Sequence, residues 1–211
     1  MSPSGMTFEF IVIGAVGLFG AAIGGKIRFC RAWTTFAILT VAAHITVLSS
    51  LFVVDFLNGI AKLGDYTVFS ATLLVFLTAA GCMSAFANWV YFHSHEEAAV
   101  IVFDRIGGII FGFGSGVVVA GVMLFIVGSS PLSEKIPYME RARMLNESRK
   151  VLTTTMIVVN MATMESPSTV LQQKKVFNKL LLLAKFPAVW LEKTLLDEPI
   201  NEITTEPEKS H

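Results

Sequence analysis

Four long stretches of this sequence carry no charged side chain, and no other feature constrains the fold as much. They lie between Glu9 and Lys26, Arg31 and Asp55, Asp65 and His93, and Arg105 and Glu134. A helix needs about 20 apolar residues to cross the hydrocarbon of a bilayer. The last three stretches exceed that length, and the first reaches it if it includes Thr7 and Phe8 or if Glu9 and Lys26 snorkel toward the headgroups. The sequence therefore predicts an all-α integral membrane protein with about four transmembrane helices.

The composition agrees with a membrane protein and argues against nucleic-acid binding. Hydrophobic residues make up 54% of the chain and charged residues 15%, whereas about a quarter of a typical soluble domain is charged. The formal net charge is zero, and a nucleic-acid-binding protein has a basic surface instead. No basic residue precedes the first stretch, so we interpret it as a membrane span and not as a cleavable signal peptide.

Basic residues give two conflicting predictions for membrane orientation. Lys26, Arg28 and Arg31 favour a cytoplasmic first loop and an external N-terminus. Four spans would then place the tail outside, although Arg141 and Arg149 are among several basic residues close behind the fourth stretch. The basic residues of the short first loop favour an external N-terminus. If one apolar run were re-entrant and did not cross the membrane, the basic residues of the tail would be cytoplasmic as well.

Small residues recur in the fourth stretch at a spacing that predicts close helix packing. Gly108, Gly112, Gly116 and Ala120 occupy every fourth position after the pair Asp104-Arg105. On a helix they form one stripe, which another backbone can approach closely. The first helix carries a second face of this kind: Gly14, Gly17, Ala21 and Gly24. We predict that the two faces pack, within one chain or between protomers, and a pore lining is the alternative.

The chain changes character after the fourth stretch. We divide it into a four-helix transmembrane domain at 1–130, a helical amphipathic tail at 131–200 and a disordered acidic terminus at 201–211. Within the tail, 134–150 is charged and helix-prone, 151–164 is an apolar patch too short to span, and 172–196 is basic and amphipathic.

The basic segment predicts binding to anionic lipid headgroups, because its lysines fall on one side of a helix. They are Lys174, Lys175, Lys179, Lys185 and Lys193. Val176, Phe177, Leu180, Leu183, Ala184 and Leu191 lie on the opposite side. A partner-binding or core-packed helix with a solvated lysine face is the alternative.

Two candidate sites lie at or within the membrane spans. In one interpretation Asp104 pairs with a basic residue of another helix or lines a polar mouth; in the other the pair marks a helix start, where Asp104 caps and Arg105 reaches the headgroups. His44 lies in the middle of the second stretch, where a polar residue is a functional candidate. The alternative for His44 is a hydrogen bond to a neighbouring helix, for which Thr78, Ser84 and Asn88 are the candidate partners.

A third candidate is the pair His93 and His95, which two glutamates follow. Imidazole and carboxylate groups suit a divalent metal. Two histidines without a third fit a solvated turn as well, so we predict no metal and no cofactor.

The residues around the glycine stripe resemble the signature of the colicin V production protein family, small multi-pass proteins of bacterial inner membranes. The matching residues are Asp104, Arg105, Gly108, Phe111, Gly112 and Gly116. The first helix is similar through Glu9, Gly20, Gly24, Gly25, Lys26 and Arg28. The resemblance covers about residues 7–130. Ser115 departs from the basic residue that the family often has there, and the tail is longer than in compact members.

The resemblance implies a bacterial inner-membrane protein that supports production or export of the peptide toxin colicin V and envelope homeostasis. It implies no enzymatic activity, and the sequence has no nucleophile motif, phosphate loop or zinc spacing. We therefore expect a non-enzymatic protein that contacts the lipid bilayer and assembles with itself or with other membrane proteins through its glycine faces. The alternative is a channel or transporter subunit of a homo-oligomer, with His44 and Asp104 along the path.

Overall fold

The computed structural model describes residues 8–27, 29–60, 63–92, 101–131, 133 and 140–185, and six α-helices account for most of them. A short 3₁₀ turn, Gly64–Tyr66, precedes the third helix. The helices are α1 Phe8–Gly24, α2 Phe29–Ile60, α3 Thr67–Phe92, α4 Ile101–Ser129, α5 Arg141–Thr163 and α6 Pro167–Leu183. The predicted all-α fold class is confirmed.

Three of these helices are long and apolar enough to cross a membrane: Phe29–Ile60, the segment Gly64–Trp89 that includes most of α3, and Phe103–Ser129 within α4. Helix α1 is apolar but shorter, with 17 residues. At about 1.5 Å per residue it is about 26 Å long, a few ångströms less than a typical hydrocarbon core. Three of the four predicted spans are thus helices long and apolar enough to cross a membrane.

Helix α4 is the centre of the bundle, with α1, α2 and α5 packed around it. Helix α1 runs antiparallel to α4, because Gly24 lies against Gly108 and Gly20 against Gly112. Helix α5 also runs antiparallel to α4, since Val151 lies against Gly121 and Leu145 against Gly128. A buried hydrophobic cluster joins α2, α3, α4, α5 and α6 through side chains such as Val47, Phe76, Phe125, Leu145 and Leu180.

Helix α2 extends beyond both ends of the charge-free stretch between Arg31 and Asp55. It continues to Ile60, so Asn58-Gly59, a pair typical of turns, is helical here. Asn58 instead contacts the next helix, because its side-chain oxygen accepts a hydrogen bond from the Thr67 hydroxyl at 3.2 Å.

In the tail, one long helix covers the described end of the charged, helix-prone segment and continues through the apolar patch: α5 runs from Arg141 to Thr163. Small residues of α4 let its side chains approach, since Gly121 lies against Val151 and Gly128 against Leu145. Helix α5 ends at Met164, whose backbone is left-handed with φ 53°.

The sequence at the start of α6 is typical of a helix N-terminus. Ser166 is the N-cap, with its hydroxyl accepting a hydrogen bond from the Thr169 N–H at 3.4 Å, and Pro167 occupies the first turn. Phe177, Leu180 and Leu181 are buried in the bundle. Leu183 was predicted on the apolar face, but it is exposed and Leu181 is buried in its place. The apolar side of α6 therefore packs against protein.

Candidate functional site

The closest contact between two helices is the crossing of α1 and α4, and glycines form it on both sides. A Cβ atom added to Gly112 would lie 2.8 Å from the Gly24 Cα, and one added to Gly116 would lie 2.9 Å from the Gly17 Cα. A Cβ on Gly24 or Gly108 would collide with the carbonyl oxygen of the other. No side chain larger than hydrogen fits without moving a backbone. The glycine stripe of α4 is therefore used inside the chain.

The face of α1 differs from the predicted one in one member. Gly14 has no neighbouring atom within 4 Å of an added Cβ, and Gly20 makes the contact instead, against the Gly112 carbonyl and Gly116. At about 100° per residue, Gly17 and Gly20 lie within about 40° of Gly24, whereas Gly14 lies about 80° away. Ala21 is half-buried beside the crossing. Ala120 on α4 is buried.

Aromatic side chains of α2 cover the neighbouring face of α4. The rings of Phe29 and Phe36 lie against Gly107 and Gly114, which have no side chain to displace them. Both rings also contact Phe111, with centroids 5.5 and 5.6 Å away, and Trp33 packs edge-on to Phe111 at 4.7 Å. The segment 107–116 is thus packed between α1 and α2.

Asp104 joins the starts of two helices. Its Oδ1 atom accepts a hydrogen bond from the backbone N–H of Phe29, the first residue of α2, at 3.0 Å. Such a bond satisfies one of the N–H groups that a helix start leaves without a partner. Asp104 therefore contacts another helix through a backbone N–H, and within the described residues it has no ion pair with a basic side chain; nor does it cap α4, which begins at Ile101. Arg105 is exposed.

His44 is buried, and its Nδ1 has no hydrogen-bond partner within the described residues. The predicted partners Thr78, Ser84 and Asn88 are all exposed on α3. The predicted cross-helix bond to them is absent from the described part of the chain. Thr40, one turn earlier on α2, is also buried with an unpartnered hydroxyl.

A cavity of about 350 Å³ lies beside Thr40, between α2, α4 and α5. Its lining includes Phe36, Phe113, Val117, Lys150 and Thr154. Most of this wall is apolar, and Lys150 contributes the one charged side chain among the lining residues. The cavity suits an apolar chain or a small amphiphilic molecule.

The predicted lysine face is only partly free. Lys175 and Lys179 are exposed, and Lys174 is half-buried. Lys185 forms an ion pair with Asp65, Nζ to Oδ1 2.9 Å, which connects the end of α6 to the turn before α3. Lys193 lies outside the described residues, as do His93, His95 and the terminus at 201–211. Among the residues that are described, no three His, Cys, Asp or Glu side chains come together in a group that suits a metal ion.

Glu9 is the residue whose surroundings sequence reasoning missed. Snorkelling to the headgroups was one of two alternatives for Glu9, yet the residue is 1% exposed in the first turn of α1. Nearby, the Lys150 ammonium lies 5.5 Å from the centroid of the Phe10 ring and 2.7 Å from the Glu147 Oε1. The signal that could have revealed this is position: at about 100° per residue Glu9 lies about 60° from Gly24, on the face that packs.

Comparisons with models of protein families, with curated proteins and with solved structures give no match for this chain.

Proposed function

We propose that this protein is a four-span, non-enzymatic factor of a bacterial inner membrane that supports peptide-toxin production or export and envelope homeostasis. The three long apolar helices support a multi-pass membrane protein. Pairing with α4 supports α1 as the fourth span, because a short helix that packs along a longer one is held at membrane depth by that contact. The role in export and envelope homeostasis follows from the resemblance of residues 104–116 to the colicin V production family.

The observation that carries this proposal is the glycine crossing of α1 and α4. The glycines are in backbone contact with each other, with Gly24 and Gly108 as the tightest pair that a Cβ would disturb. The stripe is filled by another helix of the same chain, so a path could run only beside it, where a cavity of about 220 Å³ is lined by Gly20, Ser115 and Gly116 among others. This supports a packed scaffold over a pore through the ladder, and it implies that contact with other copies or other membrane proteins uses different faces.

The test is complementation in bacteria that secrete colicin V and lack their own production protein. The intact chain should restore toxin export and envelope integrity, and Gly112→Leu should not, because leucine would separate α1 from α4. Gly14→Leu is the matched control, since its added side chain meets open space. An inserted, folded chain that restores neither export nor envelope integrity would overturn the proposal.

A channel or transporter subunit is the second candidate, and a specific observation favours it. Thr40, His44 and Asn160 are buried and each has a polar atom without a hydrogen-bond partner in the described residues. Thr40 also lines the 350 Å³ cavity. Buried polar groups within a membrane bundle often mark the path of a substrate or ion.

Ion flux into liposomes that contain the purified protein separates the two candidates. Flux that depends on the protein and falls in His44→Leu would establish the second candidate. Asp104→Asn is the control, because asparagine keeps an oxygen for the Phe29 N–H and changes only the charge. No ion flux from inserted protein, together with restored toxin export in cells, would favour the packed scaffold over the channel or transporter subunit.

A further inference from the structure

The cavity of about 350 Å³ between α2, α4 and α5 opens on the outer surface of the bundle. Thr40, Val118 and Thr155 line it and are buried, so it reaches well into the bundle. Phe113 and Val158 also line it and are exposed, so they belong to its mouth. The volume lies within the range of sites that bind small molecules in other proteins.

The register of the helices places this cavity at the depth of the membrane. Val151 lies against Gly121, so Lys150 is level with the residue after Gly121. The lining of the cavity extends from there to Phe113, about 13 Å along α4. The apolar span of α4 runs from Phe103 to Ser129, and its middle falls between these two ends. The mouth of the cavity therefore faces hydrocarbon.

Lys150 provides a basic group at the end of the cavity that is nearer to the end of α4. Its ammonium lies 2.7 Å from the Glu147 Oε1 and 5.5 Å from the centroid of the Phe10 ring. An ammonium has three N–H donors, and Glu147 accepts from one of them. The Lys150 side chain is 54% exposed, whereas that of Glu147 is 10% exposed and Glu9 is buried. Among these described charges, the one presented at the mouth is thus basic.

Arg143 continues the basic surface of α5 toward the end of α4. It precedes Lys150 by seven residues, which places it within about 20° of Lys150 around the helix and about 10 Å along it. Leu145 lies against Gly128, so Arg143 is level with the end of α4. Its exposed ion pair with Glu140, at 2.9 Å, is of a weak kind. One side of α5 thus presents two cations and then an apolar cavity, which matches the phosphate and acyl chain of a phospholipid.

The threonines of the lining are compatible with an acyl chain. Thr154 and Thr155 donate their hydroxyl hydrogens to carbonyl groups of their own helix. Thr40 has no partner for its hydroxyl in the described part of the chain, but a threonine on a helix can donate to the carbonyl four residues earlier. With these bonds made, the wall of the cavity presents hydrocarbon to a ligand.

We propose that this cavity binds one acyl chain of an anionic membrane phospholipid, whose phosphate lies between Lys150 and Arg143. The bound chain fills the space between α2, α4 and α5, and the phosphate contacts the exposed cations of α5. The site is separate from the lysine face of α6. The inference rests on the chain being a membrane protein and not on the proposed role in export.

Photo-crosslinking of the full chain in vesicles tests the site. The vesicles consist of phosphatidylethanolamine with a trace of phosphatidylglycerol that carries a diazirine on one acyl chain. Irradiation releases nitrogen, and the resulting carbene inserts into a bond of its nearest neighbour. Peptide mass spectrometry should find the adducts concentrated on residues 113–118 and 150–158. Phe52 and Leu77 are exposed on α2 and α3, so they report ordinary lipid contact and should carry fewer adducts.

A phosphatidylcholine with the same photoreactive chain measures the contribution of the headgroup. It should label the cavity less than phosphatidylglycerol does, because its headgroup has no net charge. Both lipids should label Phe52 and Leu77 equally. Equal labelling of the cavity by the two lipids in the intact chain would overturn the proposal.

Charge variants make the headgroup result specific. Lys150→Gln should lower the preference for phosphatidylglycerol by about fivefold, the usual effect of one basic residue near a lipid surface. Lys150→Arg should keep the preference. Arg143→Gln should lower it as well while leaving the Lys150–Glu147 pair intact. Lys179→Gln, at an exposed position of α6, is the matched control and should change nothing.

A filling variant tests the acyl chain separately. Thr154→Phe should reduce labelling of the cavity by either lipid, because the ring occupies its mouth. Met161→Phe is the control, since Met161 is exposed on the same helix and does not line the cavity. Cavity labelling that survives Thr154→Phe unchanged, or that is no denser than at Phe52 and Leu77, would overturn the proposal. An inserted chain without any adduct in the cavity would also overturn it, and would leave the cavity to another segment of this chain or to a second copy.

Discussion

The Oδ1 atom of Asp104 lies 3.0 Å from the backbone nitrogen of Phe29, so the start of α4 caps the start of α2 across 75 residues of sequence. The same end of the bundle contains the Gly24–Gly108 contact between α1 and α4. Three helix ends are therefore fixed together by one hydrogen bond and one backbone contact. Within the pair Asp104-Arg105, Asp104 therefore has a structural role.

Replacing Asp104 with alanine should destabilise the protein by about 1 kcal/mol, the usual cost of a lost helix cap. Asp104→Asn should cost clearly less, because the amide oxygen can still accept from the Phe29 N–H. Thermal unfolding in detergent measures both. Arg105→Ala is the control at the neighbouring exposed position. Equal losses for alanine and asparagine would mean that the charge of Asp104 matters more than the bond.

Gly112→Ala should destabilise the protein by about 1–3 kcal/mol, as expected for overpacking. The added methyl group would lie 2.8 Å from the Gly24 Cα, and a backbone cannot yield as a side chain does. Gly14→Ala, on the open side of α1, should be neutral or stabilise by up to about 1 kcal/mol, because alanine favours the helix. Chemical or thermal unfolding of the two variants in the same detergent is the measurement. A neutral Gly112→Ala would contradict the crossing.

Asn160 and Gln173 join α5 to α6 by a buried hydrogen bond, Nδ2 to Oε1 2.9 Å. Asn160→Leu should cost about 1–3 kcal/mol, because it leaves a buried Gln173 without its donor. The double variant Asn160→Leu/Gln173→Leu should recover most of that loss, since apolar groups then replace both partners. A double-mutant cycle of unfolding free energies measures the coupling. Simple additivity of the two changes would show that the bond does not form.

Met164→Gly should stabilise the end of α5. The residue is 91% exposed, and its φ of 53° belongs to the left-handed region that glycine enters without strain. We expect a gain of about 1 kcal/mol. Met161→Gly is the control, because Met161 is exposed inside the same helix and should lose about 1 kcal/mol there. A loss at both positions would place the helix end elsewhere.

The sequence predicts the helices well because long apolar runs have few alternatives to a helix in a membrane. It also predicts the stripe of α4, since a four-residue period projects to one face. It does not predict the length of α2 or the unity of α5, because those depend on contacts with α3 and α4. Gly20 and not Gly14 belongs to the packed face of α1, because Gly20 lies about 40° from Gly24 around the helix and Gly14 about 80°. Small residues at three- and four-residue spacing do not distinguish these two angles.

The surroundings of Glu9 were beyond reach for another reason. A charged residue at the edge of an apolar run is ordinarily free to reach water. Here the start of α1 is covered by α5, and Lys150 on that helix lies over Phe10. Such a contact joins residues about 140 positions apart, and the sequence around either residue does not predict it. The same holds for Asp104, whose partner lies on α2.

The crossing of α1 and α4 has a consequence for how the chain is made. More than eighty residues separate Gly24 from Gly108. At about 5–20 residues per second of synthesis, α1 emerges several seconds before its partner exists. Throughout that interval a short helix with a bare glycine face must wait in the membrane or at the insertion machinery. A ribosome that stalls before α4 leaves α1 without the helix against which it packs. We expect membrane proteases to remove such fragments first.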